Sequence, residues 1–166
     1  EKDARKEFKQ LGKWIYEKGI DIFLLETMNN LEETNICIDS IKEHKTPIWV
    51  SFVLKDHNCL LSGEKISKAI KRLNNYMVDC VLLNCNPLGR TLMAVENLIS
   101  NWPHRWGIYP NLGLGEPSPD GIIDNFSNIE ELIKISKKAV NLGATILGGC
   151  CGSSYRHIRA ISREFK

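Results

Sequence analysis

No Cys-x-x-Cys occurs in this chain, although six of its 166 residues are cysteine, so the usual spacing of a thiol-redox pair is absent. Long hydrophobic runs are lacking too. The stretch Ile20 to Leu25 is broken by Asp21 and falls far short of the roughly 20 residues that cross a bilayer. The opening EKDARKEFKQ carries no apolar signal-peptide segment. Neither sign of charge dominates: 22 Lys and Arg alternate with 20 Asp and Glu, leaving a formal +2, so nothing suggests a nucleic-acid or anionic-membrane surface. No Gly-x-Gly-x-x-Gly follows the first strand candidate, which argues against a dinucleotide-binding sheet. No linker of low complexity divides the chain. These absences lead to one expectation, a single cytoplasmic domain that keeps its thiols reduced.

What is present is an alternation of short apolar runs and amphipathic stretches. Strands are expected at Asp21–Glu26, Ile48–Leu54, Asp79–Asn84, Arg105–Tyr109 and Ala144–Gly148, each nearly continuous in apolar character, as strands covered on both faces are. Helices are expected over Lys2–Lys18, the segment after Asn30, Glu64–Asn75, the segment after Asn128 and Tyr155–Phe165. Asn30 and Asn128 each precede a glutamate by three residues, the signature of a capped helix start. Five strands with four intervening helices imply a parallel sheet built of βαβ units. A complete (β/α)8 barrel, the TIM barrel, needs eight strands and about 250 residues, so this chain would supply a partial one. The one long irregular stretch is 111–125.

The chemistry-bearing residues fall at the carboxyl ends of the strand candidates. Glu26 follows DIFLL, Asn84 and Cys85 follow CVLL, Asn111 follows GIYP, and Cys150 and Cys151 follow ILGG. In a sheet that curves toward a barrel those ends converge on one mouth. Cys85, Cys150 and Cys151 would meet there as a zinc site with a fourth position open, the pattern of a catalytic centre. Adjacent side chains of a strand point to opposite faces, so Cys150 and Cys151 share one ion only if the backbone leaves strand geometry. Gly148, Gly149 and Gly152 make that departure inexpensive. Three thiolates leave zinc a poor activator of water but a good partner for a thiol substrate, whose sulfur it keeps deprotonated and nucleophilic.

The motifs LLETM at 24–28, LSGE at 61–64, LLNCNP at 82–87, YPNLG at 109–113 and GGCCGSSYRHI at 148–158 together resemble the homocysteine S-methyltransferase family. The resemblance runs in order from about Gly12 to Phe165. It implies a (β/α)8 barrel, zinc held by Cys85, Cys150 and Cys151, and L-homocysteine as the acceptor. The methyl donor is open among S-methylmethionine, S-adenosylmethionine, betaine and methylcobalamin, and the product is methionine. Glu26 matches the glutamate that holds the homocysteine ammonium. Asn84 is divided between substrate contact and ordering the Cys85 turn; Asn111 is divided between fourth zinc ligand and turn former. The family's opening strand, with its Asp-Gly-Gly/Ala motif, and two further βα units have no counterpart. The expectation is a domain lacking three βα units, completed by an amino-terminal half or an oligomer partner. The competing expectation is a catalytically silent half-barrel that keeps a structural zinc–thiolate site.

Blander readings hold for other residues. Cys37 and Cys80 are expected as buried hydrophobes and Cys59 as a loop thiol. Trp49, Phe52, Trp106 and Tyr109 are expected in the core, and His57, His104 and His157 at the surface or in caps.

Overall fold

In the computed structural model, residues 2–114, 120 and 126–166 are described. Helix α1 (Lys2–Tyr16) leads into β1 (Phe23–Met28), α2 (Leu31–Ile41) and a 3-10 turn at Lys42–His44. Then come β2 (Ile48–Phe52), α3 (Ile66–Leu73), β3 (Cys80–Pro87), α4 (Leu88–Ile99) and β4 (Arg105–Asn111). The chain continues through α5 (Ile129–Asn141), β5 (Ile146–Leu147) and α6 (Tyr155–Glu164). The strands form one parallel sheet in the order β1-β2-β3-β4-β5. This is the partial α/β barrel architecture that the strand and helix pattern predicts.

Boundaries moved by a few residues where pairing with the neighbouring strand extends or breaks off. Strand β3 runs three residues beyond the expected Asn84, and β4 two beyond Tyr109, because the ladder resumes at Pro87 and Asn111 after an irregularity. Strand β5 keeps only Ile146 and Leu147. Helix α4, implied by the count of connections, lies at Leu88–Ile99 and follows β3 directly. Of the loop expected over 111–125, Asn111 closes β4, whereas 115–119 and 121–125 lie outside the described residues. The neck of that segment is closed by a bridge between Gly113 and Phe126 and by Ser127 N–H donating to Leu112 O.

Both anticipated caps form. The Asn30 side chain accepts from Glu33 N at 2.7 Å, and that of Asn128 from Glu131 N at 2.9 Å. At α6 the ring of His157 accepts from Ser154 N at 3.0 Å.

One continuous core lies between the sheet and its helices. Phe23, Val50, Phe52, Val81, Leu83 and Ile108 from the strands meet Ile38, Ile70, Leu73, Leu98, Leu132 and Ala139 from α2 to α5. Complete burial of such a side chain contributes about 1.5–3 kcal/mol, so this one face accounts for most of the fold's cohesion. The other face of the sheet, bearing Leu24, Trp49, Leu82, Tyr109 and Ile146, lines a cavity of about 280 Å³. Leu24 is 43% exposed there. Trp49 and Tyr109 are therefore only half-buried, unlike Phe52 and Trp106, which the core encloses as expected. Arg105 lies over the Trp49 ring, 5.4 Å from its centroid. No described helix is long and apolar enough to cross a membrane.

Candidate metal centre

Two strands break their ladders at the same end of the sheet. The β1–β2 register shifts between Leu25 and Met28, and the β3–β4 register between Asn84 and Pro87. Inside each irregularity sits a non-glycine residue in the left-handed region, Thr27 at φ 59° and Cys85 at φ 54°. Such a conformation costs on the order of 1–3 kcal/mol and persists only where neighbours enforce it. Here they do. Asn84 Nδ2 donates to Thr27 Oγ1 at 2.8 Å, and Thr27 N–H donates to the buried Ser51 hydroxyl at 3.0 Å. Asn86 Oδ1 accepts from Leu54 N at 2.7 Å while its Nδ2 donates to Phe52 O at 3.2 Å.

The third strand end arrives from β5. Its backbone continues to bond along β4 beyond the regular strand, Gly148 N–H to Ile108 O and Cys150 N–H to Pro110 O, each at 2.9 Å. Leu112 N–H then returns to Cys151 O at 2.9 Å. Ser153 closes the turn, its hydroxyl donating to Cys150 O at 2.6 Å. Among the glycines of this segment only Gly152 has a left-handed backbone, φ 77°, and a Cβ there would overlap the Phe126 ring. Gly149 is needed for space instead: a Cβ would lie 2.7 Å from the Ser153 side chain. The turn therefore rests on one conformationally demanding glycine and on close packing at the others.

These elements bring Cys85, Cys150 and Cys151 together, with their sulfurs all within 4.8 Å of one another. Cys85 Sγ is 3.5 Å from Cys151 Sγ, and Cys150 Sγ is 3.9 Å from Cys151 Sγ. A tetrahedral ion with zinc–sulfur bonds of about 2.3 Å separates its ligand sulfurs by about 3.8 Å. The cluster thus fits zinc in donor type and in spacing. Burial, then the adjoining Cys150 and Cys151 thiols, pushes the Cys85 thiol up to about 12, and burial also raises Cys150. Metal-free, Cys85 holds its proton at neutral pH, and a cation bound to its sulfur would have to displace it. Cys37 and Cys80 are buried, with thiols pushed up to about 12 by burial, whereas Cys59 is half-buried in the connection between β2 and α3.

The polar residues expected beside the metal take different positions. Glu26 is exposed on β1. Asn84 is fully buried, serving Thr27, and its Oδ1 has no partner. Asn111 is half-buried, and its Oδ1 accepts from Gly113 N at 2.7 Å, which shapes the turn. Three participants were not singled out in the sequence. Ser51 interrupts the apolar IWVSFVL, Thr27 follows Glu26, and Asn86 makes the polar triplet Asn-Cys-Asn end an apolar strand. Tyr109 lies with its hydroxyl 2.6 Å from Ser51 Oγ. Burial raises its phenol above the ordinary range, and the Glu26 carboxylate raises it further.

A five-stranded parallel sheet with three thiols converging at its strand carboxyl ends is the architecture of part of a (β/α)8 barrel with a candidate metal mouth. The likeness to solved structures agrees. The chain superposes on the homocysteine methyltransferase MmuM of Escherichia coli with a TM-score of 0.75 for the apo form, at 22% identity over 96% of this chain and 57% of that one. The metallated form gives a TM-score of 0.77, covering 51% of that chain. The family model for homocysteine S-methyltransferase matches residues 1–165, and the chain belongs to that family. Among similar proteins, homocysteine S-methyltransferase 1 of Arabidopsis thaliana is 29% identical over 161 residues, spanning 92% of this chain and 48% of that protein. Homocysteine S-methyltransferase YbgG of Bacillus subtilis is 28% identical over 153 residues, spanning 90% and 48%. A selenocysteine Se-methyltransferase of Brassica oleracea is 29% identical over 155 residues, spanning 90% and 45%. The chain spans about half the length of the curated relatives it matches.

Proposed function

We propose that this chain is the metal- and acceptor-binding portion of a zinc-dependent homocysteine S-methyltransferase, which moves a methyl group from a small donor to the sulfur of L-homocysteine and forms methionine. The observation that carries this reading is the three-sulfur cluster, whose separations match those of a tetrahedral zinc–thiolate site. Cys85, Cys150 and Cys151 would hold zinc, and zinc bound there supplies the means to keep a thiol substrate deprotonated at neutral pH. Glu26, exposed on β1 and near enough to act on the Tyr109 hydroxyl, would hold the substrate ammonium by a charge-assisted contact. The unpaired Oδ1 of Asn84 and the side chain of Asn111 offer further polar groups for the amino acid. Relatives named for homocysteine and for selenocysteine share an acceptor with one nucleophilic chalcogen, which suits a soft thiolate site. A relative from Pongo abelii is named for S-methylmethionine as donor, which makes a sulfonium the first donor to try. The reduced thiols suit a cytoplasmic setting.

The open sheet face calls for a complement. Leu24, Trp49 and Ile146 would be covered by further βα units of the barrel, whether in the same polypeptide or in a partner chain. The reaction is tested by metal analysis, homocysteine titration and methyl transfer from S-methylmethionine in the protein with a completed barrel. Near-stoichiometric zinc, homocysteine binding and loss of turnover in Cys150→Ser are the expected results. Absence of zinc, or full activity in Cys150→Ser, would overturn the mechanism. Zinc binding without any methyl transfer would instead favour a silent zinc–thiolate scaffold.

A further inference from the structure

Asn86 has no solvent-exposed surface, yet it follows the candidate metal ligand Cys85 directly. Its amide is fully engaged with the end of the neighbouring strand, accepting from Leu54 N and donating to Phe52 O. Its carbonyl accepts from the Thr91 hydroxyl at 3.1 Å, which ties the same residue to α4. Arg90 adds a second clamp on this strand end, donating to Leu54 O at 3.0 Å. On the other side of Cys85, Asn84 is fixed to β1 through Thr27. Cys85 is thus held between two buried amides anchored to different strands. It adopts φ 54°, a conformation that residues bearing a Cβ avoid unless their surroundings impose it.

That conformation has a chemical use. It turns the chain out of strand geometry at the position where a thiol must leave the sheet to meet Cys151, 66 positions later in sequence. A relaxed extended backbone at Cys85 would return its side chain to the alternation of the strand and away from the other two sulfurs. We propose that Asn86 is a positioning residue of the metal centre: its two bonds to the end of β2 hold Cys85 in the left-handed backbone that sets its sulfur 3.5 Å from Cys151. It touches neither metal nor substrate. The inference rests on the three thiols being a metal site, and it adds a residue whose loss changes the site's geometry rather than its ligand set.

The test titrates the reduced chain with Co2+ and follows the sulfur-to-cobalt charge-transfer and ligand-field absorption per bound ion, for the unaltered chain, Asn86→Leu and Asn86→Asp. Asn86→Leu keeps the size and removes both bonds; Asn86→Asp keeps the acceptor for Leu54 N–H and removes the donor to Phe52 O. Ser40→Ala, which deletes a buried hydroxyl bonded to Ile36 O in α2, serves as the comparison for a purely structural loss. The expected result is a fall in cobalt affinity of about 10–100-fold in Asn86→Leu, the range for groups that orient metal ligands. Charge-transfer intensity per bound cobalt should drop by the share of one thiolate, with a smaller change in Asn86→Asp and none in Ser40→Ala. Should Asn86→Leu fail to fold, the Asn86→Asp spectrum decides. Folded Asn86 variants with unchanged affinity and unchanged intensity would overturn the positioning role while leaving the metal site standing. An unaltered chain that binds no cobalt through its thiols would overturn both readings.

Discussion

At the scale of single residues, backbone strain and protonation each make a prediction. Gly152 has φ 77° and packs under Phe126, so Gly152→Ala has both a backbone and a steric cost. It should lower stability by about 1–3 kcal/mol in urea denaturation, with metal affinity falling alongside, because Cys151 is bound through its carbonyl to Leu112 in the same turn. Protonation gives a second prediction. Burial holds the Cys85 thiol up to about 12, so at neutral pH the metal-free chain carries a proton there that zinc ligation by Cys85 would remove. Zinc binding must therefore release protons, and apparent zinc affinity must rise with pH across the neutral range. A pH-indicator titration checks this: uptake without proton release would show that Cys85 is not a ligand. Cys85, Cys150 and Cys151 were legible because thiols beside glycine and asparagine at strand ends are rare. Asn86 and Ser51 were not, since their importance comes from bonds to the neighbouring strands β2 and β1, which no local pattern displays.

At the scale of elements, the helices followed their local signals closely. Asn30 and Asn128 both cap as their spacing to Glu33 and Glu131 predicts, because a cap is a local interaction completed within four residues. Asn128→Ala should cost about 1 kcal/mol of stability, measured by chemical denaturation, while leaving the cobalt spectrum of the thiol site intact. A changed spectrum would mean that α5 takes part in shaping the mouth. Strand ends were less legible. The expected β3 stopped at Asn84, whereas the observed strand passes through an irregularity to Pro87, where it pairs again with Asn111. That resumption is a property of the β3–β4 pair, so it cannot be read from either segment alone. Strand β5 shortened for a similar reason: Gly148 and Cys150 still bond to β4, but through a backbone already leaving regular geometry.

At the scale of the whole molecule, helices α2 to α5 cover one face of the sheet, and the opposite face presents Leu24, Trp49 and Ile146 around an open cavity. Helix α1 packs mainly on α2 and leaves Trp14 58% and Leu11 48% exposed. Under the proposed reading, both surfaces would be covered by further βα units. The chain should accordingly bind the amino-terminal half of a relative's barrel in sedimentation experiments. Leu24→Asp should weaken that association roughly tenfold or more, since burial of a leucine is worth about 1.5–3 kcal/mol. Association unaffected by Leu24→Asp would mean that this face is not the joint. The sequence by itself determined the alternation of strands and helices, the caps, the parallel class of the sheet and the identity of the three thiols. Each of those follows from local periodicity, short-range hydrogen bonding or residue chemistry. Only the tertiary structure decided that the three sulfurs lie within reach of one ion, that the buried amides flanking Cys85 on β3 bond to two neighbouring strands, and that one sheet face stands open. Those are relations between segments distant in the chain, set by strand order and register rather than by any stretch of residues.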